Sequence, residues 1–243
     1  MNENFIQEIK ILKSKLRQDS YINNIPFIQT ACKITFHNRI TILTGENGSG
    51  KSTLLEGIAA SYGLNAEGGT RNFQPHSSNV SADLADALTI RRGIHRPQDE
   101  FFFRAESFFN IATQIDNYEQ EQAGYLRYYG GKSLHNQSHG ESFLALAQNR
   151  FSPDSLYILD EPESALSPQR QLTLLLIIHE LAQQGTQFII ATHSPILVGM
   201  PGAEILALDD CGIKEISCEE TECFQIMKMF VTQKEKLLSE LLR

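Results

Sequence analysis

The residues of this chain best suited to chemistry lie in two short stretches far apart in the sequence. Gly45-Glu46-Asn47-Gly48-Ser49-Gly50-Lys51-Ser52-Thr53 follows the pattern of glycine, four residues, glycine, lysine and serine. Leu156-Tyr157-Ile158-Leu159 is an apolar run that ends in Asp160-Glu161. The first stretch combines three devices for holding phosphate. Glycines let backbone N–H groups line a concave nest, a following helix adds the positive end of its dipole, and Lys51 adds a full charge. Gly45, Asn47, Gly48, Ser49, Gly50, Lys51, Ser52 and Thr53 are thus candidates to hold the β- and γ-phosphates of a nucleotide, with the Ser52 hydroxyl placed to ligate magnesium. Phosphate binding alone does not give hydrolysis, which also needs a second magnesium contact and a group to orient water. Asp160 suits the magnesium, directly or through water. Glu161, one residue on and pointing elsewhere, suits the water.

Each stretch needs a frame. Ile40 to Thr44 reads as a short buried strand leading into the glycine-rich loop, and Leu54 to Ala60 as the helix leaving it. The run at 156–159, a helix from about Pro168 to Gln184, and Gln187 to Thr192 describe a strand–helix–strand crossover in a parallel sheet. Ligands of such open sheets sit at the carboxyl ends of the strands, which is where Asp160 and Glu161 fall. Phe5 to Leu16 reads as a strand edging a small antiparallel sheet, Asn23 to Pro26 as a turn, and Ala31 to Phe36 as another strand. Gly63 to Val80, rich in Gly, Asn, Ser and Pro, reads as an extended loop. Phe101 to Phe103 is a short strand, and Glu106 to Ile115 and Ser142 to Asn149 have helical spacing. Asp209-Asp210-Cys211-Gly212 is a hairpin turn, and a closing helix starts near Glu219 with acidic residues at its positive end.

A chain of 243 residues can bury a full core, most simply as one large α/β domain. Its 21 basic and 29 acidic residues leave a net charge of −8, which argues against a broad nucleic-acid-binding face but leaves room for a local basic groove. Cys32, Cys211, Cys218 and Cys223 form no C-x-x-C pair and read as reduced thiols of a cytoplasmic protein. The start Met1-Asn2-Glu3-Asn4 is not that of a secretion signal, and the most apolar segment, Leu172 to Ile178, is too short to span a bilayer.

Gly45–Thr53, Ser138-His139-Gly140-Glu141, Leu156–Glu163 and Thr192-His193-Ser194 stand in the order and rough spacing of ABC-type ATPases, which this chain resembles from about Ile40 to Pro195. Ser138 lies 22 residues before Asp160, and His193 lies 33 after it. The resemblance implies a P-loop α/β fold over residues 1–243. A small antiparallel β part (about 1–39) would precede a phosphate-loop core (40–104), a helical part (105–150) and a second core segment (151–243). It implies ATP and Mg2+ as ligands, Ser52 and Asp160 as metal contacts, and Glu161, His193 and Lys51 as the catalytic set. In this family the signature, here Ser138, Gly140 and Glu141, binds the γ-phosphate of the ATP held by the opposite subunit. An ATP-dependent homodimer is therefore expected.

The departures are instructive. Gln137 precedes the signature serine where transporters usually have an apolar residue, His139 replaces a glycine, and Ser167 stands at the usual aspartate of the D-loop. No glutamine follows the strand at 101–103, which leaves Glu106 or Gln98 for that role with neither assigned. Tyr21 and Phe27 are candidates to stack on adenine. Glu161-Pro162-Glu163-Ser164-Ala165-Leu166-Ser167-Pro168, Gln137-Ser138-His139-Gly140-Glu141-Ser142 and Arg71-Asn72-Phe73 look closer to a bacterial group of soluble AAA-family ATPases related to the SMC and RecF type. Lys51 and Ser138 are only 87 residues apart, which leaves no room for an SMC coiled-coil arm. The expectation is a soluble ATPase whose cycle serves DNA maintenance or defence, with DNA or a co-encoded effector protein as partner. The alternatives are the ATPase subunit of a membrane transporter, a nucleotide-gated scaffold with little turnover, and a P-loop kinase, the last leaving Ser138–Glu141 and His193 unexplained.

Overall fold

The computed structural model describes residues 3–70, 79–121, 123–136 and 139–242. In chain order, β1 (Ile6–Ile11), α1 (Pro26–Thr30), β2 (Lys33–Thr35), β3 (Ile40–Thr44), α2 (Lys51–Tyr62), α3 (Asn79–Ala87), β4 (Leu88–Arg92) and β5 (Glu100–Arg104) form the first part. The second part comprises α4 (Phe108–Glu121), α5 (His139–Arg150), β6 (Leu156–Asp160), α6 (Pro168–Gln183), β7 (Gln187–Ala191), α7 (Pro195–Val198), β8 (Glu204–Asp209), β9 (Gly212–Ile216) and α8 (Glu222–Leu241).

Among the described residues the strands make a six-stranded sheet, ordered β5-β6-β7-β3-β8-β9, and a three-stranded sheet, ordered β2-β1-β4. Strands β5, β6, β7, β3 and β8 run parallel, and β9 returns antiparallel from the hairpin at 209–212. Every residue of β3, β6 and β7 is buried, so their unbroken apolar runs belong to strands covered on both faces. Alternate side chains feed opposite cores. Phe101, Phe103, Tyr157, Leu159, Phe188 and Ile190 pack with α4, α5 and α6, while Phe102, Ile158 and Ile189 pack with α2 and the small sheet.

The small sheet corrects the expected position of the first strand. β1 is its centre, not its edge: Ile9 faces Ile34 of β2 and Ile90 of β4. Its second partner, β4, has the sequence Leu-Thr-Ile-Arg-Arg, which lacks the apolar run by which the buried strands were legible. The strand also ends at Ile11, with a 3-10 turn at Lys13–Lys15. Helix α3 occupies the end of what reads as a loop, and 71–78 lie outside the described residues. The expected turn at 23–26 is instead the end of a 3-10 turn, Tyr21–Asn24, followed by α1. Pro26 opens α1, where its fixed φ suits a first helical residue and its missing N–H costs nothing.

Gln187, the fully buried first residue of β7, joins the two sheets. Its side chain accepts from Ile6 N–H at 2.9 Å and donates to Ile6 O at 2.9 Å, so it pairs like one more strand residue. Among the described residues no helix is long and apolar enough to cross a membrane.

Candidate functional site

Three parallel strands deliver the candidate residues to one end of the large sheet. β3 runs into the glycine-rich loop, β6 ends at Asp160, and β7 leads into Thr192-His193. The loop turns tightly against its surroundings. A side chain at Gly45 would place Cβ 2.3 Å from Leu208 O, and one at Gly50, at φ 93°, would place it 2.5 Å from the Ile25 side chain. Both positions therefore demand glycine. The turn delivers Lys51, buried at the start of α2, whose ammonium folds back to donate to Gly45 O at 2.7 Å and Glu46 O at 2.8 Å. Burial lowers its pKa from the usual lysine range, opposed by the charges of Glu161, Asp160 and Glu163.

Ser52 Oγ donates to Asp160 Oδ1 at 3.1 Å, which joins the first turn of α2 to the end of β6. Burial raises the Asp160 pKa to about 6, against the lowering effects of the Ser52 hydrogen bond and Arg104. Two oxygens in this position form a hard-donor pair, the chemistry magnesium takes. Glu161 sits at φ 48°, in the left-handed region uncommon for residues with a side chain. Its N–H still donates to Ala191 O at 2.9 Å, so the ladder to β7 continues while the chain turns away. Strain of this kind concentrates at functional positions.

His193 is held through its backbone: its N–H donates to Glu163 Oε1 at 2.7 Å. Burial, then Lys51, lowers its pKa, which keeps the imidazole neutral at neutral pH. Its Nε2 and the Ser49 hydroxyl are buried with no hydrogen-bond partner among the described residues. Both residues line a cavity of about 850 Å³ beside the glycine-rich loop, which reaches Glu222 and Ile226 at the root of α8. A second cavity, of about 450 Å³, lies on the other side of the loop against Tyr21, Asn24, Ile25 and Glu161. Buried polar groups without a partner beside a glycine-lined hollow are unusual in a folded protein and mark this end of the sheet as a place for a polar ligand.

The structure thus gathers Lys51, Ser52, Asp160, Glu161 and His193. It places Gly140 and Glu141 elsewhere. Ser138 and Gln137 lie outside the described residues. Gly140 and Glu141 head α5 and face the turn after Glu161: a Cβ on Gly140 would stand 2.4 Å from Ala165 O, and Glu141 pairs with Arg170 at 2.9 Å. Neither lines either cavity. Phe27 is fully buried and cannot stack on a base, whereas the half-exposed Tyr21 lines the smaller cavity. Gln98 precedes β5, at the opposite end of the strand from the site, and its N–H donates to Asp154 O. Glu106 pairs with Arg104 at 2.7 Å. Sequence reasoning missed Arg104 and Glu56, which pair at 2.9 Å beside Asp160. The available signal was the spacing of Glu56, one helical turn after Ser52.

Comparison with known proteins bears on the same segments. A family model described as "AAA domain" matches residues 21–151, more than half of the chain. A second, "AAA domain, putative AbiEii toxin, Type IV TA system", matches residues 135–199. The chain belongs to the AAA-domain family. One relative is a "Putative ABC transporter ATP-binding protein" of Methanothermobacter marburgensis, 28% identical over 66% of this chain and 63% of that protein. Another is the ABC transporter G family member STR2 of Medicago truncatula, 26% identical over 64% of this chain. The chain spans only 24% of that protein's length. The cytochrome c biogenesis ATP-binding export protein CcmA of Paramagnetospirillum magneticum is 28% identical over 72% of this chain and 83% of its own length. Among solved structures, CbiO1 of Clostridium perfringens, part of the ABC transporter complex CbiONQ, superposes with a TM-score of 0.50. It covers 96% of this chain and 97% of its own at 16% identity, a likeness of fold.

Proposed function

We propose that this chain binds Mg-ATP at the Gly45–Thr53 loop, pairs head to tail with a second copy, and hydrolyses ATP to ADP and phosphate to drive a partner process. One observation carries the reading: Lys51, Ser52, Asp160, Glu161 and His193 gather at one strand end, while Gly140 and Glu141 of the same chain line neither cavity there. Lys51 has to exchange two loop carbonyls for phosphate oxygens, which changes its partners but not its burial. Ser52 and Asp160 hold the magnesium, which when bound neutralises charge on the phosphate oxygens. Glu161 faces the cavity beside Lys51 and orients or deprotonates the attacking water. His193, neutral and with Nε2 unpartnered, donates toward the γ-phosphate or holds the water. Ser138, Gly140 and Glu141 serve the site of the other copy.

For the driven process, the match of residues 135–199 to a model naming the AbiEii toxin and a TA system favours a defence role with a co-encoded protein as partner. The second reading is the ATPase subunit of a membrane transporter, favoured by the relatives named for transport and export. The cycle itself is tested first. Glu161→Gln should retain ATP binding, lose hydrolysis and run as a dimer on a sizing column when ATP is present. A monomeric, ATP-bound variant would refute the shared site. Proteins or DNA recovered with the trapped dimer then separate the two readings.

A further inference from the structure

Ser52, Asp160, Arg104 and Glu56 form a chain of contacts between the first turn of α2 and the ends of β5 and β6. Ser52 Oγ donates to Asp160 Oδ1 at 3.1 Å, and the other carboxylate oxygen, Oδ2, faces Arg104 Nε at 3.9 Å. Arg104 stands opposite Asp160 in the β5–β6 ladder, so the backbone register fixes this approach. Its Nη1 reaches Glu56 Oε1 at 2.9 Å, and Glu56 returns to Ser52 along one turn of α2. Glu56 and Asp160 are buried, whereas the third carboxylate on the guanidinium, Glu106, is exposed. A guanidinium suits this place because its planar fork meets several carboxylates in fixed directions, which a flexible ammonium does not.

We propose that Arg104 is a positioning residue for the divalent cation. Anchored by Glu56, it presents its charge to the outer oxygen of Asp160 at 3.9 Å and leaves Oδ1 turned toward Ser52 as a metal donor. The inference rests on the nucleotide-site reading above and deepens it. The hydrogen bond between Ser52 and Asp160 is the contact a cation replaces, since both oxygens then turn to the metal. Arg104 is the charge that remains beside the carboxylate. At 3.9 Å its Nε lies beyond hydrogen-bond distance of Asp160, and its charge is shared with Glu56 and Glu106. Asp160 is therefore steered without being neutralised by a private ion pair.

The test measures the affinity of a fluorescent ATP analogue in EDTA and across a series of Mg2+ concentrations. It compares the wild type with Arg104→Met, Arg104→Lys and Glu56→Gln, each checked for folding by thermal unfolding. Loss of an outer-shell partner of this kind typically weakens metal binding about 10- to 100-fold. The expected result is a Mg2+ requirement raised by that factor in Arg104→Met and by less in Glu56→Gln, with affinity in EDTA unchanged. Arg104→Lys, which keeps the charge and loses the fork, should fall between wild type and Arg104→Met. If Arg104→Met does not fold, the near-isosteric Glu56→Gln carries the test. An unmoved Mg2+ requirement in the folded variants, or equal losses with and without Mg2+, overturns the inference. A wild type that binds no analogue in either condition overturns the nucleotide reading and this inference with it.

Discussion

Replacing Asp160 with asparagine should stabilise the cation-free protein at neutral pH while removing a ligand its function requires. Asp160 is 4% exposed, and burial is the largest cause of the rise in its pKa from 3.8 to about 6. In an unfolded chain the same carboxyl titrates near roughly 3.9. The folded protein therefore keeps this proton over a range in which the unfolded chain has released it, so stability falls as pH rises. The contribution is fully present below about pH 4 and lost above about pH 6. At 1.36 kcal/mol per pKa unit, the rise amounts to about 3 kcal/mol. Asparagine keeps the shape and the oxygen that accepts from Ser52, and it carries no charge to bury. It forfeits the 3.9 Å pairing with Arg104, so about 3 kcal/mol is an upper figure.

In a chain of this size each kcal/mol moves the melting temperature by roughly 2–4 °C, which sets a ceiling of roughly 10 °C. The assay is thermal unfolding in EDTA, followed by circular dichroism at a series of pH values. The wild type and Asp160→Asn should nearly coincide near about pH 4 and separate above about pH 6, the variant being the more stable. Under Mg-ATP the order should reverse, because only the wild type gains from the cation. A variant less stable than wild type in EDTA at neutral pH would refute the reasoning, as would a difference that does not change with pH.

Lys51→Ala removes the ammonium that now holds Gly45 O and Glu46 O, and isothermal titration should show ATP binding lost; unaltered affinity would undermine the phosphate-loop assignment. Gly140→Ala drives a methyl to 2.4 Å from Ala165 O and should cost about 1–3 kcal/mol in urea unfolding, so a negligible change would contradict the packing of α5 on the 161–167 turn. The imidazole of His193 should titrate by NMR with a midpoint below 6.5, since burial and Lys51 both disfavour its cation; a midpoint above that value would place it differently.

Most of the large sheet was legible because burial on both faces writes an unambiguous pattern. β3, β5, β6 and β7 are short runs of apolar residues, and each was located to within a residue or two. The small sheet was legible only in part, because its strands face one core and mix charges with apolar residues. Leu88–Arg92 carries no strand pattern, and without it β1 reads as an edge. At the site, the residues on the chain's sharpest turns were the readable ones: Lys51 and Ser52 follow a glycine loop, and Asp160 and Glu161 end a strand. Arg104 was unreadable for the opposite reason. Its meaning comes from lateral register with Asp160 and from a turn of α2, two long-range facts that no spacing around residue 104 encodes.

The departure at Ser167 acquires a physical account from its neighbours. Ser167 is the N-cap of α6, with its hydroxyl accepting from Arg170 N–H, while the Arg170 side chain reaches across to Glu141 at the head of α5. The same segment lies under Gly140, whose lack of a side chain lets α5 approach Ala165 O closely. Ala165 follows directly on Ser164, whose hydroxyl donates to Glu161 O at 2.9 Å. The head of α5 and the strained Glu161 are therefore joined by contacts spanning residues 161–170 alone. Under the head-to-tail arrangement proposed above, the α5 head of one copy meets the nucleotide of the other. A displacement there bears directly on its own copy's Glu161, with no relay through the core. On that proposal, the contact at Gly140 and the Arg170–Glu141 pair are where the two sites would communicate without an aspartate at 167.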